Sequence, residues 1–159
     1  MGISTPSNTN LHWEDFAVDQ VREFGRKLVT REEILDFATK FDPQLIHLDE
    51  HVAAASLFGR LSASGWHTCA MAMRMVCDAF LLDAASLGSP GVESLKWLKP
   101  VLVGDVLRMR VKVTETRPMN SRPHVGLVRM TWEVLNQHNN VAMHMDSWAM
   151  FRRRDVEID

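Results

Sequence analysis

Cysteine is scarce in this sequence: Cys69 and Cys77 are the only two, eight residues apart in a strongly helical stretch. A helix separates residues at that spacing by about 12 Å, well beyond disulfide reach. Both therefore read as reduced, small core residues, as suits a cytoplasmic protein. Charge of one sign is also lacking. With 18 Lys and Arg against 20 Asp and Glu, the formal net charge is -2, which gives no electrostatic reason to expect nucleic acid or an anionic membrane surface as partner. The one local run, Arg152-Arg153-Arg154, reads as a solvated chain end. The longest apolar stretch, Trp66 to Leu82, is broken by His67, Arg74 and Asp78, which argues for a buried helix and against a membrane span. Met1 to Asn10 lack the basic flank and apolar run of a signal peptide. Repeats, low-complexity tracts, a phosphate-cradling glycine loop and a dinucleotide fingerprint are all missing. Neither Ser62 nor Ser64 has the flanking glycines of a nucleophile elbow.

What remains is an ordinary globule, 46% apolar and 24% charged. Its length suits one domain over 1–159, with 1–20 as an N-terminal extension. A short strand is expected from Phe24 to Val29. Thr30 and Glu33 then have the spacing of a capping box, with Val29 and Ile34 placed for a hydrophobic staple. Ile34, Leu35, Ala38 and Phe41 give the following helix one apolar face. Pro43 disfavours helical geometry at Asp42, so the helix stops there. Asp49 can cap a second helix from about Glu50 to Leu57. Ser64 caps a long one from Gly65 to about Leu87, apolar nearly all round and so expected to be surrounded by protein. After Pro90 the period changes to alternation. Leu107, Met109, Val111 and Val113 come after a turn at Gly104-Asp105. Val128, Met130, Trp132 and Val134 form a second alternating run, and Val141 to Phe151 come after a turn at Asn139-Asn140. These predict half-buried antiparallel strands, and the whole is an α+β layout in which a sheet wraps one long central helix.

Two places could carry chemistry. In the loop from Asp42 to Asp49, a carboxylate and an imidazole stand five residues apart at Asp42 and His47. Such a pair can hold one water and move its protons. On spacing alone it reads sooner as a polar loop that caps helices. The second place is Ser62-Ala63-Ser64-Gly65-Trp66-His67. A helix N-terminus there offers unpaired N–H groups to developing negative charge, and Gly65 permits close approach of a ligand. Taken alone, an ordinary serine cap beside a packing glycine is the favoured explanation. Trp66 and His67 could line a pocket. The string His47-Leu48-Asp49-Glu50-His51 matches a zinc-protease motif by letters, but a helix capped at Asp49 leaves His47 outside it, so no metal site is expected.

The segment from Phe24 to about Val113 resembles the MaoC-like dehydratases, which include the (R)-specific enoyl-CoA hydratases. The matching pieces are Thr30-Arg31-Glu32-Glu33-Ile34, the loop with Asp42 and His47-Leu48-Asp49-Glu50, Phe58-Gly59-Arg60-Leu61 leading to Ser64-Gly65, and Pro100-Val101-Leu102-Val103-Gly104-Asp105. The resemblance implies a hot-dog fold, an antiparallel sheet around a long helix, assembled as a homodimer or a dimer of dimers. It implies hydration of trans-2-enoyl thioesters, or the reverse dehydration, on acyl-CoA or acyl-ACP, without metal or other cofactor. Asp42 and His47 match the family's catalytic pair, and Gly65 the glycine whose N–H binds the thioester carbonyl. Gln44, Ser64, Trp66 and His67 then fall around the substrate. Three positions depart from the pattern: Gln44-Leu45 replaces the usual asparagine-proline, Ser64 a frequent histidine, and Ala70 a serine that would supply one supporting hydrogen bond. A hot-dog thioesterase is the enzymatic alternative, although this helix has no carboxylate before Asp78. A catalytically silent thioester-binding protein is the other.

Overall fold

The structure is a computed structural model, and it describes residues 11–154 and 156. The expected polar start of the chain, Met1 to Asn10, lies outside the described residues. Along the chain come β1 (Val21–Leu28), α1 (Arg31–Phe41), α2 (Glu50–Ala54), α3 (Gly65–Ala79), β2 (Ser86–Trp97), β3 (Val106–Pro118), β4 (Val125–Leu135) and β5 (Val141–Arg152). The strands form one sheet in the order β1-β3-β4-β5-β2, every pair antiparallel. This is the α+β architecture that the alternating runs and the apolar helix predict. No helix among the described residues is long and apolar enough to cross a membrane.

Alternation produced the clearest burial. Leu107, Met109, Val111 and Val113 point into the core, as do Val128, Met130, Trp132 and Val134. Against them pack Met71, Ala72, Met75 and Val76 of α3. This face-to-stripe packing is what a one-sided sheet and a helix each require for burial. Phe151 closes the sheet's far end, fully buried and stacked on Phe16 with ring centroids 4.3 Å apart.

The structure corrects several expectations. The first strand begins at Val21, ahead of Phe24, because Val21, Arg22 and Glu23 pair with Lys112, Val111 and Arg110. As an edge strand it shows no apolar period there. The second helix ends at Ala54, with Leu57 fully exposed beyond it. The long helix stops at Ala79 instead of about Leu87. Phe80 turns into the core against Phe16 and Phe24, and Ala85 donates its N–H to Leu11 O. That partner comes from the start of the described chain, more than seventy residues away, so no local signal could announce it. The chain then enters β2, an edge strand that tolerates Pro90 and three breaks in register, two of them flanking Gly88 and reaching Gly91, both glycines with positive φ, and the third between Val92 and Ser94. The helix is also not enclosed within one chain: Trp66, Met73 and Arg74 are exposed.

The terminal arginines are not simply solvated. Arg153 donates to Pro123 O and lies over the Trp13 ring, and Arg154 forks onto Asp15. They pin residues 11–20 onto the sheet. Replacing Phe151 by Ala should destabilise the fold by about 3–5 kcal/mol, since a fully buried ring leaves both a cavity and a lost stacking partner. Denaturant unfolding of the variant beside wild type measures it, and a loss below about 1 kcal/mol would show that this end of the core is not cooperative with the rest.

Candidate active site

Three separate chain segments converge at the start of α3. The first is the end of α1. Thr30 caps that helix by accepting the Glu33 N–H, while the Glu33 carboxylate bridges to Lys27. Asp42, just before Pro43, leaves helical geometry and ends it. A single 3-10 turn over Leu45–His47 carries the imidazole inward, and Asp49 caps α2 through the His51 and Val52 N–H groups. The second segment precedes α3. Ser62 bridges to Leu102, and the Ala63 N–H donates to Val101 O. Arg60 donates to Val103 O, and buried Asp105 accepts from Leu102 N and Gln137. The third is the end of β2, which supplies Trp97.

Asp42 and His47 meet. The His47 Nε2 lies 3.5 Å from Asp42 Oδ2, with the imidazole buried. Nδ1 sits 2.7 Å from the Ser62 carbonyl. A carbonyl only accepts, so Nδ1 carries the proton and, in the neutral ring, Nε2 presents a lone pair. Two acceptors facing each other at this distance call for a shared proton or a bridging water. The Asp42 carboxylate is held on both oxygens: the Gln44 amide donates to Oδ1 at 2.7 Å, and the Ser64 hydroxyl to Oδ2 at 2.7 Å. These bonds, the Ser64 one foremost, and then the His47 charge outweigh burial and keep the carboxyl below its usual range. It is therefore ionised at neutral pH, a fixed negative charge beside the imidazole.

The same cavity, about 400 Å³, is lined by Asp42, Gln44, His47, Ser64, Gly65 and Trp66. Among the described residues nothing accepts the Gly65 N–H, the first of α3, whereas the Trp66 N–H is taken by Ser64 Oγ. The open donor at a helix N-terminus favours negative charge. Gly65 has a second reason to be glycine. A Cβ there would overlap the Trp97 indole, whose Nε1 donates to Gly65 O at 3.0 Å.

Of the residues predicted for the site, His67 is not brought to it. Buried and stacked on Phe37 at 4.7 Å, it lines a different cavity between α1 and α3, together with Ala70. Helical geometry explains this, since neighbours at successive positions point about 100° apart. Gln44 and Ser64 do line the cavity, but their hydrogen bonds go to Asp42. Residues that the sequence reading missed are Trp97 and the cavity-lining Lys99; Ser62, singled out only as part of the string leading into α3, fixes the imidazole through its carbonyl. Trp97 sits three positions before Pro100-Val101-Leu102-Val103-Gly104-Asp105, yet nothing local says that it reaches across to α3.

An antiparallel sheet packed on one helix, with a carboxylate and an imidazole beside that helix's open N-terminus, is an arrangement able to support acid–base chemistry on a polarised carbonyl. A family model described as MaoC like domain matches residues 15–135, and the chain belongs to the MaoC-like dehydratase family. A 3-hydroxybutyryl-CoA dehydratase from Methylorubrum extorquens is 29% identical over 121 residues, 73% of this chain and 72% of that protein. The crystal structure of a MaoC-like dehydratase from Rhodospirillum rubrum is 37% identical with a TM-score of 0.85, covering 92% of this chain and all of that one. An (R)-hydratase from Pseudomonas aeruginosa, 22% identical over 94% of this chain and 92% of its own, shares the fold with a TM-score of 0.72. The fold is the hot-dog fold.

Replacing Ser64 by Ala removes the strongest bond to Asp42, so its pKa should rise. The folded-state pKa of Asp42 lies below its ordinary 3.8. Its stabilisation is thus complete above that value and lost as pH falls through the lower folded pKa. In the variant the contribution is smaller and its loss is complete at higher pH, on top of about 1 kcal/mol from the missing helix cap. Carboxyl titration by NMR with melts across acid pH checks this; an unmoved Asp42 pKa would refute the assigned bond.

Proposed function

We propose that this protein is a hydratase or dehydratase that interconverts trans-2-enoyl and 3-hydroxyacyl thioesters carried on coenzyme A or acyl carrier protein, in the cytoplasm. The observation that carries the reading is the Asp42–His47 pair, Nε2 to Oδ2 3.5 Å, sharing one cavity with the open Gly65 N–H. In hydration the pair holds one water. As its oxygen bonds to the β-carbon, one proton passes to the pair, and the negative charge moves to the thioester oxygen. The Gly65 N–H at the helix start stabilises that charge. The pair then returns the proton to the α-carbon and ends as it began, so the reaction needs no metal or redox partner. Dehydration is the same path reversed. Gln44 and Ser64 act by holding the carboxylate, and Trp66 forms part of the wall.

The acyl group is the finer part of the reading. The Methylorubrum extorquens relative is a dehydratase of a four-carbon hydroxyacyl-CoA, and that class of substrate suits a cavity of about 400 Å³. For assembly we infer a two-fold homodimer, alone or paired again. The edge strand β2 leaves a row of backbone groups unpaired, and Leu87, Val92 and Trp97 on it, with Met73 on α3, are exposed in the single chain. Such an edge invites antiparallel pairing with a second copy.

Asp42→Asn removes the proton acceptor and nearly keeps its shape, and His47→Gln does the same for the imidazole. Each should lower turnover of an enoyl thioester by about 100- to 10,000-fold with little change in melting temperature. Loss of the conjugated double bond is followed by absorbance. Variants with near-normal rates would overturn the reading, and a wild type that binds thioesters but hydrates none would favour a silent binding protein. Light scattering at micromolar concentration should give a dimer or a multiple of it; a monomer there would refute the proposed assembly.

A further inference from the structure

We propose that Trp97 sets the length of acyl chain the site accepts, by walling the Asp42–His47 cavity off from a second, apolar cavity. This rests on the proposed thioester chemistry. The second cavity, about 310 Å³, lies between α3 and the sheet, and is lined by Cys69, Met73 and Val76 on the helix and Met130, Trp132 and Met143 on the strands. Methionine makes such a lining adaptable to a flexible alkyl chain.

A short chain of contacts links the linings of the two cavities. Trp97 faces the catalytic cavity. It is the cross-strand partner of Met143, which faces the apolar one. The Met143 Sδ lies 3.6 Å from Cys69 Sγ, and the Trp97 indole also lies against Cys69. One indole and the residues behind it therefore separate the two spaces. The indole is held from three sides. Its Nε1 donates to Gly65 O at 3.0 Å, its ring occupies the space a Cβ on Gly65 would need, and Trp66 meets it edge-on with centroids 5.2 Å apart.

A substrate with its carbonyl at the Gly65 N–H and its β-carbon at the pair must run its tail beside Trp97. With the indole in place a short tail ends in the catalytic cavity. Without it, a longer tail can continue into the methionine-lined space, where each buried methylene strengthens binding about fourfold. The arrangement makes Trp97 a specificity-determining residue that takes no part in proton transfer.

The test is calorimetric binding of butanoyl-CoA and decanoyl-CoA, saturated thioesters that cannot be hydrated, to wild type, Trp97→Ala and Trp97→Leu. Wild type should bind the butanoyl thioester at least as well as the decanoyl one. Trp97→Ala should raise the decanoyl-to-butanoyl affinity ratio by about tenfold or more, and Trp97→Leu should raise it by less. Either variant with its ratio moved in that direction supports the wall. A ratio unmoved in both, with each melting cooperatively, overturns it while the thioester reading stands. A wild type that binds neither thioester overturns both.

Discussion

One constraint organises this molecule: a sheet with a single apolar face has to be covered, and α3 is what covers it. Met71, Ala72, Met75 and Val76 are buried against the inward residues of the strands. The helix cannot turn about its axis without exposing that stripe, so its position is fixed along its whole length. Its first residue, Gly65, is held in place along with it. The open N–H that the proposed chemistry uses is thus located by packing that lies well away from it. The loop from Asp42 to Asp49 has no comparable core of its own. Its place is set by the Asp42–Ser64 and His47–Ser62 hydrogen bonds, which tie it to the segment leading into the helix.

Those bonds also resolve an electrostatic problem. Asp42 is a charge with little exposure, and such a group either finds donors or takes up a proton. Gln44 and Ser64 supply the donors, and the start of α3 adds favourable dipoles. Strong donors cost basicity, because the more firmly the carboxylate is held, the less readily it accepts a proton. For His47 geometry decides which ring nitrogen faces the cavity. Its Nδ1 proton is spent on the Ser62 carbonyl, which leaves Nε2 as an acceptor toward the cavity. The two groups are thus unequal members of the pair: the carboxylate brings a fixed charge, and the imidazole a lone pair on Nε2.

How much the sequence revealed depends on how far each signal reaches. The strands with Leu107, Met109, Val111 and Val113, and with Val128, Met130, Trp132 and Val134, were legible because burial on a sheet face has a period of two. Thr30, Asp49 and Ser64 were legible as caps because a cap acts within three residues. The end of α3 was not. Phe80, Leu81 and Leu82 continue a helical pattern, and only the pairing of Ala85 with Leu11 and of β2 with β5 breaks it. The pairing of Asp42 with His47 stayed undecided on spacing, and the resemblance tipped it. His67 was misplaced because adjacency to Gly65 in sequence is not adjacency in space on a helix. Trp97 was missed, and the part Ser62 plays within its string went unread, for the opposite reason: each acts across the fold, through a carbonyl in one case and an indole face in the other.

The departures from the family pattern take on meaning in the same terms. Gln44 replaces an asparagine, and Ser64 a histidine, yet each delivers a donor to the carboxylate at 2.7 Å. What the Asp42 charge needs is a proton pointed at each oxygen, and more than one side chain can bring it. Ala70 is a different matter. It lines the cavity between α1 and α3, away from the pair, so the hydroxyl it lacks is not missing from the Asp42–His47 cavity. The hydroxyls of that cavity come instead from Ser62, Ser64 and Thr68. Ser62 Oγ stands 3.5 Å from His47 Nδ1, and Ser64 is bonded to Asp42 itself. Each member of the pair is thus attended by a serine from the segment that leads into α3, so the entry to the helix that covers the sheet also holds the carboxylate and the imidazole together.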